Sequence, residues 1–169
     1  MDPHNPYAAP GVEISAPRLP SAPGVLASRL RRLGAATLDS LFLLVFILPA
    51  RFASGSFDEF PAVVAESYVT SLLWGLGGAA LWVGLNSWTI LQSAQSLGKR
   101  VVGIKIVDLD GNNASFTKIV AWRFLPITLA DTVIPGSGGL VGSIDILFIF
   151  RSDRRCLHDF IAGTQVVHA

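Results

Sequence analysis

The sequence predicts an all-α membrane protein: a four-helix transmembrane bundle with a short cytoplasmic β strand and turn and a C-terminal interfacial helix. The chain is 51% hydrophobic and only 15% charged. Soluble domains carry about 25% charged residues, so this chain has too few polar side chains to cover a soluble surface. Four apolar segments are separated by polar or helix-breaking connections. The predicted helices are 30–52, 68–91, 117–134 and 139–151.

The first 28 residues differ in composition from the rest of the chain. They contain six of the ten prolines and no apolar periodicity. A segment of this kind cannot bury enough apolar surface to offset the entropy lost on ordering. We therefore expect residues 1–28 to be a disordered cytoplasmic tail, and residues 29–169 to form the transmembrane domain.

The four apolar segments differ in length. Segments 30–52 and 68–91 exceed the roughly 20 residues that a bilayer core requires, and the second of them contains no charge. The last two segments have shorter apolar runs, 119–134 and 140–150, and even sixteen helical residues extend only about 24 Å. The run Pro135–Gly139 breaks the helix between the last two segments. These two segments either cross the membrane completely or form a re-entrant hairpin.

The positive charges indicate the orientation of the bundle. In the four-helix arrangement, twelve of the thirteen Lys and Arg residues fall on one side, and Arg51 alone lies on the other. Basic connections stay in the cytoplasm, so both termini are predicted to be cytoplasmic. The net charge of +1 shows no basic excess typical of nucleic-acid binding. The expected partner is therefore the lipid bilayer, and no nucleic-acid partner is expected.

The connection between the second and third segments has the pattern of a strand. Its sequence VGIKIVD is β-branched and roughly alternating, and Asp110–Gly111 marks a turn after it. The C-terminal sequence GTQVVHA has the same character and is a hypothetical pairing partner. Lys99 and Arg100 are interpreted as a basic cluster at the lipid headgroups, because the sequence around Gly98 lacks a complete phosphate-binding motif.

Charged residues inside the apolar segments are the candidate functional residues, since each costs about 2.5–3.5 kcal/mol in lipid. Arg32 and Asp39 lie two helical turns apart on one face, and Arg123 and Asp145 fall at a similar depth in other helices. We therefore predict that the two arginines neutralise these two aspartates. This cluster is either an ion or proton pathway or a structural contact that holds the helices together. Asp131 lies toward the outer side and is expected only to cap the hairpin.

The second segment contains further polar and small residues that bear on this site. Asn86 and Gln92 lie at the cytoplasmic end of the second helix and are candidate lining residues, with helix packing as the alternative. Gly75, Ala79, Ala80 and Gly84 form small-xxx-small steps, which suit packing within the monomer or a dimer interface.

Four stretches of the chain resemble the RDD family of bacterial membrane proteins. They are RRLGAATLDSLFLL, SLGKRVVGIKIVDLDG, WRFLP and SIDILFIFRSDRRCLHDFIAGTQVV. The resemblance implies that Arg32, Asp39 and Asp145 are the arginine and two aspartates that give the family its name. It also implies a multi-pass protein of the bacterial inner membrane, and cation/proton exchange as the activity of some members. Further residues fall on family motif positions or on the cytoplasmic face: Gly98, Lys99, Arg100, Asp108, Arg123, Arg155, His158 and Asp159.

The C-terminal sequence RSDRRCLHDFIAGT is predicted to be a basic interfacial helix. His158 and Asp159 have no nucleophile motif or second histidine nearby, so a catalytic or metal site is not expected. Cys156 is predicted to point elsewhere on the helix and to be a reduced thiol. Asp159 is expected to pair with an arginine of the Gly98–Arg100 block.

The leading functional prediction is a small cation or proton-coupled transporter in which Asp39 and Asp145 carry the ion or proton. Four helices enclose little volume, so a homodimer is expected to provide the path. The alternative is a membrane scaffold or regulatory partner that transports nothing. The sequence contains no nucleophile motif, metal-ligand set or cofactor loop, so neither an enzyme nor a cofactor is predicted.

Overall fold

A computed structural model of the chain describes residues 24–55, 67–134 and 139–169. Most of the predicted tail and the break at 135–138 lie outside the described residues. Within them, the chain is mostly helical and contains one small sheet. The helices are α1 (Arg29–Ala53), α2 (Tyr68–Ser93), α3 (Leu97–Val102), α4 (Leu125–Val133), α5 (Leu140–Leu147) and α6 (Leu157–Ala162), and the strands are β1 (Ile104–Asp108) and β2 (Thr164–His168).

Two helices, α1 and α2, are long and apolar enough to cross a membrane. Their ends lie within two residues of the predicted bounds. Few of their residues are buried inside the chain, which distinguishes them from the core helices of a soluble protein. The only residues buried in α1 are Arg32, Ala35 and Asp39, whereas Val45 is 67% exposed. A polar inner face and an apolar outer face are expected of a helix surrounded by lipid.

The third and fourth predicted helices are shorter and less regular. A π-helical segment, Lys118–Phe124, leads directly into α4. The wide turns precede Pro126, which has no N–H to donate and whose ring crowds the preceding turn. Helix α5 ends in a 3₁₀ turn, Phe148–Phe150. Crossing of the membrane by these two segments stays a prediction.

The hypothetical pairing of the two β-branched stretches is confirmed. Strands β1 and β2 are antiparallel, with Ile104 opposite His168 and Ile106 opposite Val166. The side chains of Ile104, Ile106 and Val166 are buried, so the sheet contributes one face to the small apolar core. The predicted boundary of the tail at residue 28 is too late, because Leu26 forms a bridge to Val167 in β2.

The sheet lies where the helical segments begin or end. The N–H of Ala27, just before α1, donates to Val166 O, and the N–H of Ile106 donates to Ala94 O at the end of α2. The N–H of Ala114, just before the π-helical segment, donates to Ile106 O. Successive segments therefore run away from the sheet and back towards it.

The last helical segment also returns to the sheet end. Arg29, at the start of α1, donates from Nε to Ile149 O at 3.2 Å and from Nη2 to Phe150 O at 3.3 Å. At the opposite end, the Tyr68 hydroxyl donates to Val133 O at 2.8 Å. This up-and-down arrangement places Arg32, Asp39, Arg123 and Asp145 near the sheet.

Candidate functional site

Helix α6 carries a buried aspartate that binds two arginines. Asp159 has no exposed surface, and its carboxylate accepts hydrogen bonds from Arg32 Nη2 and Arg123 Nη1. The same carboxylate accepts from the N–H of Cys156 at 3.0 Å and from the Thr164 hydroxyl at 3.3 Å. We call Arg32, Arg123 and Asp159 the arginine–aspartate cluster. It connects α1, the π-helical segment and α6.

This geometry overturns two predicted pairings. In the part of the chain that the structure describes, neither Arg32 nor Arg123 forms an ion pair with Asp39 or Asp145. Asp159 does not pair with an arginine of the Gly98–Arg100 block either. Both predictions are wrong because α6 packs against the helices. This packing places the Asp159 carboxylate in direct contact with Arg32 and Arg123. A local signal was present, since Asp159 is the third residue of α6 and closes a capping box with Cys156.

Asp39 is instead bound by helix α3, which the sequence interpretation missed. Ser96 Oγ donates to Asp39 Oδ2 at 2.5 Å, and the N–H of Gly98 donates to Oδ1 at 2.7 Å. Lys99 Nζ lies 3.6 Å from Oδ2. A Cβ added at Gly98 would lie 2.2 Å from Ala35 O, so only glycine allows α3 to approach α1 this closely. The block is therefore part of a short helix that packs on α1 through the buried Gly98, with Lys99 half-buried and Arg100 exposed.

Asp145 pairs with the histidine at the start of α6. The N–H of His158 donates to Asp145 Oδ1 at 2.8 Å, and His158 Nδ1 lies 2.5 Å from Oδ2. On the other side of the ring, His158 Nε2 lies 3.8 Å from Asp159 Oδ1. His158 therefore lies between Asp145 and the arginine–aspartate cluster.

Burial changes the pKa of ionisable groups in α3 and α6. Burial, reinforced by the positive charge of Arg123, lowers the pKa of His158. Burial also lowers the pKa of Lys99, with Asp39 acting in the opposite direction. Burial would raise the pKa of Asp159, but Arg123, His158 and Arg32 together hold it below its usual range.

Burial raises the pKa of Cys156 to about 11. The predicted reduced thiol is thus protonated at neutral pH, and it is a free, buried cysteine.

A cavity of about 180 Å³ borders these groups. Its polar wall includes Lys99, Arg123, Asp145 and His158, which come from four different segments. Its apolar wall includes Trp82 and Phe124, whose rings stack with centroids 4.0 Å apart. The cavity is therefore bordered by Ser96 and Lys99, which contact Asp39, by Arg123 of the arginine–aspartate cluster, and by the Asp145–His158 pair.

The model of the RDD family matches residues 26–163. The chain belongs to the RDD family. It is similar to Uncharacterized protein YckC of Bacillus subtilis (strain 168), with 34% identity over 82% of this chain and 82% of the relative. It is also similar to Uncharacterized protein YxaI of the same organism, with 24% identity over 75% of this chain and 83% of the relative. No solved structure matches the chain.

In this RDD protein, the arginine and two aspartates assigned by the resemblance lie in three different groups. Arg32 belongs to the arginine–aspartate cluster, Asp39 is bound by α3, and Asp145 is paired with His158. RDD proteins are membrane associated, and in the part of the chain that the structure describes, α1 and α2 are the two helices that could span the bilayer by length and composition.

The two candidate lining residues of α2 have other positions in this RDD protein. Asn86 is buried, accepts from the N–H of Leu97 at 2.8 Å and donates to Trp82 O at 2.9 Å, so it holds α3 against α2. Gln92 is exposed, and its prediction as a lining residue is wrong. The buried glutamine is Gln95, which donates to Ile104 O.

The remaining motif residues stabilise turns and helix ends. Asp108 Oδ1 accepts from the N–H groups of Asp110 and Asn112 in the turn after β1. Arg155 donates to Thr164 O and Asp159 O, both at 3.0 Å.

The prediction that Asp131 caps the hairpin is confirmed. Its carboxylate accepts from the N–H of Val141 at 3.0 Å and from the N–H of Gly142 at 2.8 Å, in the first turn of α5. Those N–H groups have no partner within the helix, so the aspartate satisfies them.

The prediction that Cys156 points away from His158 is wrong. Cys156 is the N-cap of α6 and has an extended backbone, so helical spacing does not set the direction of its side chain. One ligand atom each of Asp145, Cys156 and His158 lie within 4.8 Å of one another. The fold therefore brings an oxygen, a sulfur and a nitrogen ligand together.

Proposed function

We propose that this RDD protein exchanges cations for protons across the bacterial inner membrane. The cavity bordered by Lys99, Arg123, Asp145 and His158 would be its cytoplasmic vestibule. The observation that carries this proposal is that ionisable side chains from separate segments border one cavity at the charged end of the helices. The proposed topology has four crossings with both termini in the cytoplasm.

The basic residues near the sheet support this orientation. Arg29 and Arg31 begin α1, and Arg151, Arg154 and Arg155 follow the last helical segment, so all of them lie at the sheet end. Basic segments next to membrane helices remain cytoplasmic. The sheet, α3 and α6 would then form a cap on the cytoplasmic surface.

The balance of charge supports coupling between the cation and the proton. Lys99, Arg32 and Arg123 oppose three carboxylates in and around the cavity, so the formal charges cancel before a cation enters. An additional charge in a weakly polar interior is costly. Entry of a monovalent cation is therefore favoured when Lys99 releases its ammonium proton, because the net charge then stays at zero. This exchange is the behaviour of an antiporter.

The two aspartates would act in sequence. Asp145 lines the cavity and would offer the first oxygen to an entering monovalent cation. Asp39 contacts Ser96 and Lys99, which line the cavity. It would offer a second binding position for the cation. The cavity has room for several waters, since each occupies about 30 Å³ in the liquid. We expect a homodimer to complete the path to the other side.

Cation-driven proton flux in proteoliposomes tests this proposal. We expect Asp145→Asn and Asp39→Asn each to lower the flux by at least about tenfold, since a contact worth about 1.4 kcal/mol changes a rate tenfold. Asp153→Asn is the matched control, because Asp153 pairs with the exposed Arg151 away from the cavity. Flux is normalised to folded protein. Equal flux in all four proteins would contradict the proposal.

A scaffold that transports nothing is the second candidate, and a specific observation favours it. Among the described residues, no buried side-chain nitrogen or oxygen lacks a hydrogen-bond partner, as expected of a cluster that only holds helices together. If this alternative is correct, the wild-type protein produces no flux. Asp39→Asn and Asp145→Asn would then lower the melting temperature or the abundance in the membrane.

A further inference from the structure

We propose that Asp145, Cys156 and His158 form a binding site for a divalent transition-metal ion, with Zn²⁺ as the best match. Their ligand atoms lie within 4.8 Å of one another, and Asp145 and Cys156 are buried. This inference goes beyond the proposed function, because the site can bind a metal whether or not the protein transports monovalent cations.

The chemistry of the three ligands selects the class of ion. A carboxylate, a thiolate and an imidazole are the three ligand types that Zn²⁺ uses in proteins. Cys156 would become the thiolate by releasing its proton to the solution when the metal binds. Alkali ions and Mg²⁺ prefer oxygen ligands, so a site with sulfur and nitrogen discriminates against them. The mixed set therefore points to a borderline-soft metal, distinct from the monovalent cation of the proposed transport.

The spacing of the ligands is close to that of a tetrahedral site. Bond lengths of about 2.0–2.3 Å place neighbouring ligand atoms of a tetrahedral Zn²⁺ about 3.3–3.8 Å apart. Asp145 Oδ2 and His158 Nδ1 are now 2.5 Å apart and share a hydrogen bond, whose proton would move to His158 Nε2 when a metal binds Nδ1. A metal that replaces this proton would move the two atoms apart, while Cys156 Sγ would move slightly inward.

The backbone and a neighbouring arginine hold the ligands in place. The N–H of Cys156 donates to Asp159, and the N–H of His158 donates to Asp145 Oδ1, so the first turn of α6 is fixed relative to α5. Arg32 Nη2 donates to Cys156 Sγ at 3.6 Å. Hydrogen bonds of this kind orient the ligands of metal sites and stabilise the charge on sulfur. Asp159 offsets the positive charge of Arg32 and Arg123 beside the site.

The cavity provides the fourth coordination position. Asp145 and His158 both line it, so an ion can enter from that side and retain a water molecule. Three protein ligands and one open position are the arrangement of an exchangeable or catalytic zinc site. Structural zinc sites, in contrast, have four protein ligands. The bound metal would therefore exchange with the solution.

Binding of Co²⁺ to the full-length, metal-free protein in detergent tests the site. Co²⁺ replaces Zn²⁺ in such sites, and a cobalt–thiolate bond produces a charge-transfer absorption band. We expect one Co²⁺ per chain, this absorption band in the wild type, and its displacement by Zn²⁺. Cys156→Ser should abolish the band, and Asp145→Asn should weaken Co²⁺ binding about 10–100-fold. Asp153→Asn serves as the control and should bind as the wild type does.

Thermal unfolding separates loss of the site from loss of the fold. Cys156→Ser preserves the Asp145–His158 pair, so its melting temperature without metal should match that of the wild type. Zn²⁺ should raise the melting temperature of the wild type but not of this variant, because a ligand of the folded state stabilises it. Absence of the charge-transfer band in the wild type would overturn the inference, as would its persistence in Cys156→Ser. Flux in metal-free liposomes would test transport independently.

Discussion

Asp159→Asn is expected to lower the free energy of unfolding by about 3–5 kcal/mol, the usual penalty for removing one partner of a buried ion pair. The asparagine retains the size of the aspartate but loses its charge. Arg32 and Arg123, both more than nine-tenths buried, would then face each other across a neutral side chain. The contacts that join α1, the π-helical segment and α6 would weaken together.

This prediction is measured by denaturant or thermal unfolding of the purified protein in detergent. Asp153→Asn is again the matched control, because Asp153 binds the exposed Arg151 and surface ion pairs contribute about 0–1 kcal/mol. A melting temperature of Asp159→Asn equal to that of the wild type would show that the two arginines do not depend on this carboxylate.

Gly98→Ala is expected to destabilise the protein by about 3 kcal/mol, at the upper end of the range for overpacked sites. The new methyl group would lie 2.2 Å from Ala35 O and 2.9 Å from Asp39 N. Both are backbone atoms of α1, so they cannot rotate away as the end of a side chain could. Helix α3 would have to move outward and release the hydrogen bond from the Gly98 N–H to Asp39.

Gly84→Ala provides the control for this prediction. Gly84 lies within α2, and an added Cβ there meets no atom within 4 Å. Alanine favours a helix over glycine by about 1 kcal/mol, so Gly84→Ala should be neutral or stabilising. The two variants are compared by thermal unfolding and by the yield of folded protein. Equal stability of Gly98→Ala and the wild type would contradict the close approach of α3 to α1.

The helices and the strand pairing could be predicted because their signals are local. Segments 30–52 and 68–91 are apolar for longer than a bilayer core requires, and α1 and α2 follow those bounds closely. The β-branched character of VGIKIVD and TQVV was enough to predict the pairing of β1 and β2. The position of Asp131 before a helix break likewise predicted its capping role.

The ion pairs could not be predicted in the same way. Charges at a similar depth can combine in several ways, and sequence spacing along one helix does not say which neighbour is closest. The basic sequence around Asp159 predicts a surface helix, although Asp159 is fully buried. The position of Gln92 at the end of α2 predicts a lining residue, but Gln95, just beyond the helix, is the buried one.

The sequence by itself determined the hydrophobic segments, the charged end of the bundle and the residues of the RDD motif. These properties depend on composition and on periodicity along the chain. Only the tertiary structure decided that Arg32 and Arg123 share Asp159, that Lys99 faces Asp39, and that Cys156 turns towards His158. The reason is physical: a charge in a weakly polar interior is neutralised by the nearest opposite charge, and packing of distant segments sets which one that is.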